Sequence, residues 1–465
     1  MFNVVARMAA RVAIPLAATG GLAALSLAGP AMSAAPAAAA HSPSVRALPD
    51  LGRPGGSAKL KALTSPLPTS QCQAQIGISC YSPLQYRVAY DLNPLYAKGI
   101  TGAGRTIVVV DSFGSPTIQH DLDMFDAQWG LPGTTVTVVK YGNIPPFDPT
   151  NSTMVGWAQE TTLDVEYAHA IAPGAKIVLA ETPVAETEGV TGLPEMMNAE
   201  QSLINQGVGD VITQSFGATE NTFPGFDQGD YSSLLSLRYA FKNAQKHGVT
   251  VLASSGDAGA TDAELDGTTL YPYRVNSWPS SDPLVTSLGG TQLHLDDAGN
   301  RLSPDVVWND GYGAGGGGLS AVFSRPLYQI GVTGVVDHKR GTPDISMSAA
   351  VNGGAWVYYS FQPTTVGWHI FGGTSEASPI FSGVVALADQ YAHHRLGLIN
   401  PALYTLGALS RAGVPGTGIV DVTSGDNSFA GVTGYPATRG YDLASGWGTI
   451  DAAKLVPALA RIPGA

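Results

Sequence analysis

The chain has 465 residues, yet only 13% are Asp, Glu, Lys or Arg, while Gly and Pro contribute 57 and 32. Hydrophobic residues make up 44%, enough for a large core, which excludes disorder as the overall state. The formal charge of -12 leaves no basic surface for phosphate backbones or anionic lipid, so nucleic-acid binding is excluded as a function class.

At the N-terminus, Arg7 and Arg11 precede an apolar run from Val12 to Ala31 and a small-residue stretch from Ser33 to Ala40. That pattern predicts a secretory signal peptide over residues 1–40, cleaved between about residues 35 and 41, and hence a secreted, extracellular protein. An uncleaved membrane anchor is the alternative, but Gly20, Gly21 and Pro30 interrupt the run. No second apolar span of membrane length follows, so no stable membrane association is expected after cleavage. Residues 41–80 read as a short leader or linker, rich in Pro, Gly and Ala, in which Cys72 and Cys80 are placed to form a local disulfide.

From Tyr81 to Ala465 a single domain is expected. Strands predicted at Arg105–Asp111, Thr135–Tyr141, Ala175–Glu181, Asp210–Phe216 and Val249–Ser255 alternate with helices near Thr117–Trp129, Ala158–Ile171 and Tyr231–His247. This βαβ rhythm predicts an α/β fold with a mostly parallel central sheet covered by helices on both faces. Chemistry in such sheets gathers beyond the carboxyl ends of the strands.

Three segments there carry candidate chemistry. In F-G-G-T-S-E-A-S-P, Ser375 stands at the start of an apolar helix, where it could be a nucleophile or only an N-cap. In W-A-Q-E-T-T-L-D-V-E-Y-A-H, Glu160 and Asp164 are four apart on one helix face, either as a working pair of carboxyls or as a solvated face. His169, nine residues from Glu160, falls about 180° round that helix and reads as structural. In V-L-A-S-S-G-D-A-G-A, Asp257 ends a buried strand between glycines, as a functional acid or as a turn residue bonded to its own backbone.

Glu160, Asp164, Asp257 and Ser375 together resemble the catalytic set of the sedolisins, serine-carboxyl peptidases with the subtilisin fold. Y-S-P-L-Q-Y-R-V-A-Y-D-L, S-L-G-G-T, G-G-G-G-L-S-A-V-F-S-R-P-L-Y-Q and R-G-T-P-D-I-S read as further landmarks of that family, in order. The resemblance implies an endopeptidase acting on polypeptides, with Ser375 as nucleophile, Glu160 as general base, Asp164 as its partner and a neutral Asp257 as oxyanion donor. A Glu base of ordinary pKa, about 4.3, would make the enzyme acid-active. It also implies one Ca2+ ion, held by Asp421 and Asp442 carboxylates and the carbonyls of Val422, Thr438 and Gly440, although Thr438 stands where a glycine is usual. The backbone of Ser215, Phe216 and Gly217 would line the substrate cleft, with Phe216 in place of the usual tryptophan.

A large pro-domain is usual in the family, and only about 40 residues separate the expected cleavage site from Tyr81. The reading is therefore a monomer that folds unaided or with a folding partner. Two rivals remain: a histidine-dependent subtilisin using Asp111 with His120 or His169, and a secreted pseudopeptidase that binds without turnover.

Overall fold

The computed structural model describes residues 46–47 and 62–462; the expected signal peptide lies outside them. Alternation of short apolar runs with helices yields an eight-stranded central sheet: β1 (Thr106–Ser112), β2 (Val136–Lys140), β3 (Lys176–Thr182), β4 (Val211–Gln214), β5 (Thr250–Ser254), β6 (Thr286–Gln292), β7 (Val306–Val307) and β8 (Ile345–Ser348). Its order is β7-β6-β5-β4-β1-β3-β2, with β8 also pairing β6. Every pairing is parallel except β6 with β7. The chain moves from β1 to one side through β3 and β2, then to the other through β4, β5 and β6. That reversal opens a crevice at the carboxyl ends of β1, β4 and β5.

Helices cover both faces: α1 (Ile118–Trp129), α2 (Ser152–Ile171), α3 (Leu193–Asn205), α4 (Tyr239–His247) and α5 (Thr374–Ala392). Strand β1 shows how the layers divide. Its Ile107 and Val109 pack with Leu122 of α1 and Val165 of α2, whereas Val108 and Val110 pack with Met196 of α3 and Phe241 of α4. Every residue from Trp157 to Ile171 of α2 is buried. Helix α5 lies against α2 so closely that a Cβ on Gly383 would come 2.6 Å from the Cβ of Ile171. Among the described residues no helix is long and apolar enough to cross a membrane.

Three local expectations shift. Helix α2 starts at Ser152 rather than near Ala158, because the Asn151 side chain accepts the N–H groups of Thr153 and Met154 and caps it earlier. The helix expected over Tyr231–His247 is broken into Ser232–Leu235, a 3-10 turn at Ser236–Arg238 and α4. The break falls at Arg238, whose guanidinium forks onto Asp282 at 2.5 and 2.9 Å, a tertiary contact invisible to periodicity. The segment read as a linker is already packed from Leu63, which exchanges backbone hydrogen bonds with Trp368. Cys72 and Cys80 are joined by a disulfide and both sit in the main core.

A smaller sheet joins Arg46–Ala47, Gly367–Gly372, Gly354–Tyr359 and Cys80–Tyr81. Its strand Gly367–Gly372 runs directly into α5.

Candidate active site

Between that strand and α5, Gly373 adopts φ 130 and ψ 159, a conformation that strongly favours glycine. The turn places Ser375 in the first helical turn, where free N–H groups give a positive local potential. Pro379 lacks an N–H, so the Ser375 carbonyl receives no bond from the residue four positions on. The Ser215 hydroxyl, just beyond the end of β4, points at that carbonyl from 3.3 Å and donates to Asp164 Oδ1 at 3.0 Å. One small side chain thus ties the serine turn to the acids of α2.

Glu160 and Asp164, one turn apart, are both fully buried, so the solvated-face alternative fails. Asp111, at the end of β1, is fully buried beside them and acts electrostatically on both. Among the described residues no ion pair reaches any of the three. Burial first, then the Asp111 charge, pushes Glu160 and Asp164 well above the ordinary carboxyl range. Burial raises Asp111 to about 7, against the pull of the Thr161 hydroxyl. The hydroxyls of Ser375 and Ser215 pull Glu160 back down, although neither closes a hydrogen bond of ordinary geometry on it. Such contacts commonly tighten only when substrate is bound. The expectation of a Glu base with an ordinary pKa is corrected accordingly: three carboxyls without a cation share protons and titrate as a set.

Asp257, three residues beyond β5, is bonded to Thr374, the residue before the serine. Its Oδ1 accepts the Thr374 N–H at 2.7 Å and the Thr374 hydroxyl at 2.9 Å, which marks Oδ2 as the oxygen able to carry a proton. Its charge also acts on Glu160. The four singled-out residues therefore converge, and Asp111, Ser215 and Thr374 join them.

Ser215, Phe216 and Gly217 follow β4, which ends one residue before them. Among the described residues none of the three takes part in a backbone-to-backbone hydrogen bond. Ser215 and Phe216 are buried and Gly217 is partly exposed, and the Phe216 ring belongs to the same core cluster as Trp278. The histidines lie elsewhere. His169 is fully buried, with Nε2 2.9 Å from the Pro132 carbonyl and 3.2 Å from Asp126, and His120 is exposed beside Tyr358.

In the C-terminal loop, the Gly440 N–H donates to Asp421 Oδ2 at 2.8 Å and the Thr438 N–H to Asp442 Oδ2 at 2.7 Å. The 438–442 turn thereby ties both carboxylates together. Asp442 Oδ1 accepts the Ala444 and Ser445 N–H groups at 3.0 and 2.8 Å, and Val422 is buried behind. Gly440 has φ +85, while Thr438 has no positive φ, so threonine is tolerated there. Asp421 and Asp442 are hard-oxygen donors of the kind calcium takes, and the turn between Thr438 and Asp442 holds both. Among the described residues no group of three or more His, Cys, Asp or Glu could hold a metal, so carbonyls would supply the remaining ligands.

A buried serine at a helix start, beside carboxyls from a buried helix and from the ends of parallel strands, is a serine-hydrolase type of site on a subtilisin-like α/β fold. The subtilase family model matches residues 151–402. The chain is 30% identical to kumamolisin of Bacillus sp. strain MN-32 over 82% of its length and 64% of that protein's. It is 32% identical to sedolisin of Pseudomonas sp. strain 101 over 81% of its length and 60% of that protein's. It thus spans roughly three fifths of the length of these relatives. A solved structure of Pseudomonas sedolisin, described as a serine-carboxyl proteinase, superposes with a TM-score of 0.67 at 28% identity, covering 82% of this chain and 98% of that one. The chain belongs to the subtilase family, on its sedolisin branch.

Proposed function

We propose that the protein is a secreted, acid-active serine-carboxyl endopeptidase acting as a monomer on polypeptides. The observation that carries this reading is the Ser215 hydroxyl reaching both the Ser375 carbonyl and Asp164, with Glu160 buried between the acid set and the serine. In the proposed reaction Ser375 Oγ attacks the peptide carbonyl while its proton passes to Glu160. Asp164 shares that proton, and protonated Asp257 donates from Oδ2 to the oxyanion. Collapse expels the amine, which takes the proton from Glu160, and water then releases the acyl group by the same steps. Backbone groups of Ser215, Phe216 and Gly217 would hold the substrate as an added strand.

One carboxylate in the set must be ionised to act as base while the others keep their protons, since adjacent buried charges oppose further ionisation. That condition sets the lower pH limit through the base, and the need for a protonated Asp257 sets the upper one; the acid range is proposed from the likeness to the serine-carboxyl proteinases. One calcium ion, held by Asp421, Asp442 and the carbonyls of Val422, Thr438 and Gly440, would add stability by binding only the folded state. Residues 1–40 would be removed as the signal peptide. The proposed peptidase domain is 81–465, carried with the packed segment before it.

The test is hydrolysis of a denatured protein by the purified chain at about pH 4, beside Ser375→Ala. Internal cleavage, an ester trapped on Ser375 and loss of at least about 10⁴-fold in the variant are expected. Substrate bound by both forms without turnover would instead identify a binding protein.

A further inference from the structure

Two arginines flank the proposed calcium loop and serve none of the roles above. Arg411 ends the helix Asn400–Arg411, and Arg439 stands between Thr438 and Gly440. Both line a cavity of about 210 Å3 together with Asp421, Gly440, Ser410 and Trp447. The Arg411 side chain runs across the backbone of Gly440, where a Cβ would meet its Cδ at 2.8 Å and its Nε at 3.1 Å. The Arg439 guanidinium donates to the Arg411 carbonyl at 3.3 Å, which holds the two chain segments together. The positive charges of both arginines act on the Asp421 carboxylate, which also accepts the Gly440 N–H.

We infer that Arg411 and Arg439 are built-in counter-charges of this loop: they balance Asp421 without a metal, and they compete with calcium for the site. The inference rests on the reading of Asp421 and Asp442 as cation ligands. Affinity in calcium sites follows the charge of the ligand set, and the two guanidiniums offset the charge that Asp421 brings to it. A divalent cation held at Asp421 has both of them as neighbours across the cavity that this carboxylate also lines, where repulsion survives even partial solvent screening. The loop keeps its shape through the hydrogen bonds of the 438–442 turn and binds calcium weakly.

The test is calorimetric titration of calcium chloride into the full secreted chain after treatment with a chelator, with melting curves recorded with and without calcium. Arg439→Gln, at an exposed position, Arg411→Gln and the control Asp442→Asn are run in parallel. The expected dissociation constant of the unmodified chain is about 10⁻⁴ to 10⁻³ M, as in weak extracellular calcium modules. Each arginine replacement should tighten it about five- to tenfold, and Asp442→Asn should abolish binding. Chelation should lower the melting temperature of the unmodified chain by less than about 2 °C. Micromolar binding by the unmodified chain, unchanged in Arg439→Gln, would overturn the inference and leave the calcium site standing. No binding by any form, including both arginine variants, would overturn the site together with the inference.

Discussion

Thr374 gives two hydrogen bonds to one oxygen of Asp257. An aspartate in that position donates to an oxyanion only while protonated, whereas an asparagine donates at any pH. Asp257→Asn should therefore keep measurable activity and extend the upper limb of the kcat/KM profile to higher pH, while Asp257→Ala should lose about 10² to 10³-fold. Ser215 lowers the pKa of both Asp164 and Glu160. Its replacement by alanine raises both, so the base ionises at higher pH. The acid limb of the Ser215→Ala profile should shift upward and kcat/KM fall about tenfold, measured against a fluorogenic peptide. Spacing and punctuation singled out Glu160, Asp164, Asp257 and Ser375 (one helical turn, a strand end between glycines, a glycine pair before a helix), but only the resemblance to the sedolisins gave them roles. Asp111 was read only as part of a histidine rival, and Ser215 only for its backbone. Their side-chain roles depend on β1, α2 and the turn after β4 meeting in space, which no local pattern records.

Helix α2 carries the acids and α5 the serine, so their contact sets the distance between base and nucleophile. Gly383 allows that contact, with Ile171 as its neighbour. Gly383→Ala would gain helix propensity, but overpacking against Ile171 should dominate and destabilise the fold by about 1 to 3 kcal/mol, read from denaturant unfolding. If the helices move apart, kcat should fall more than KM changes. Element identities were legible from apolar periodicity, as for α1, β1 and β3. Their limits were less so: the Asn151 cap extends α2, and the Arg238–Asp282 contact interrupts the helix before α4. Both depend on single side chains.

Across the whole molecule the site belongs to a wider pattern of buried acids. Burial raises Glu188, Glu200, Glu376 and Asp389 to about 8, in addition to Asp111 at about 7. In the unfolded chain these groups lose their protons near pH 4, while in the folded chain they keep them until pH 7 to 8. The folded state therefore has its full contribution below about pH 4 and loses it as pH rises toward 8. The melting temperature should be highest in acid and fall by more than about 5 °C between pH 4 and 8; a melting temperature that rises over that interval would contradict this balance.

The central claim is that carboxyl groups, not histidine, activate Ser375. The pH dependence of kcat/KM from about pH 3 to 8, for the unmodified chain and for Glu160→Gln, tests it most directly. The account predicts a peak in acid that the substitution abolishes; a neutral or alkaline peak surviving Glu160→Gln would contradict it and return the base to histidine.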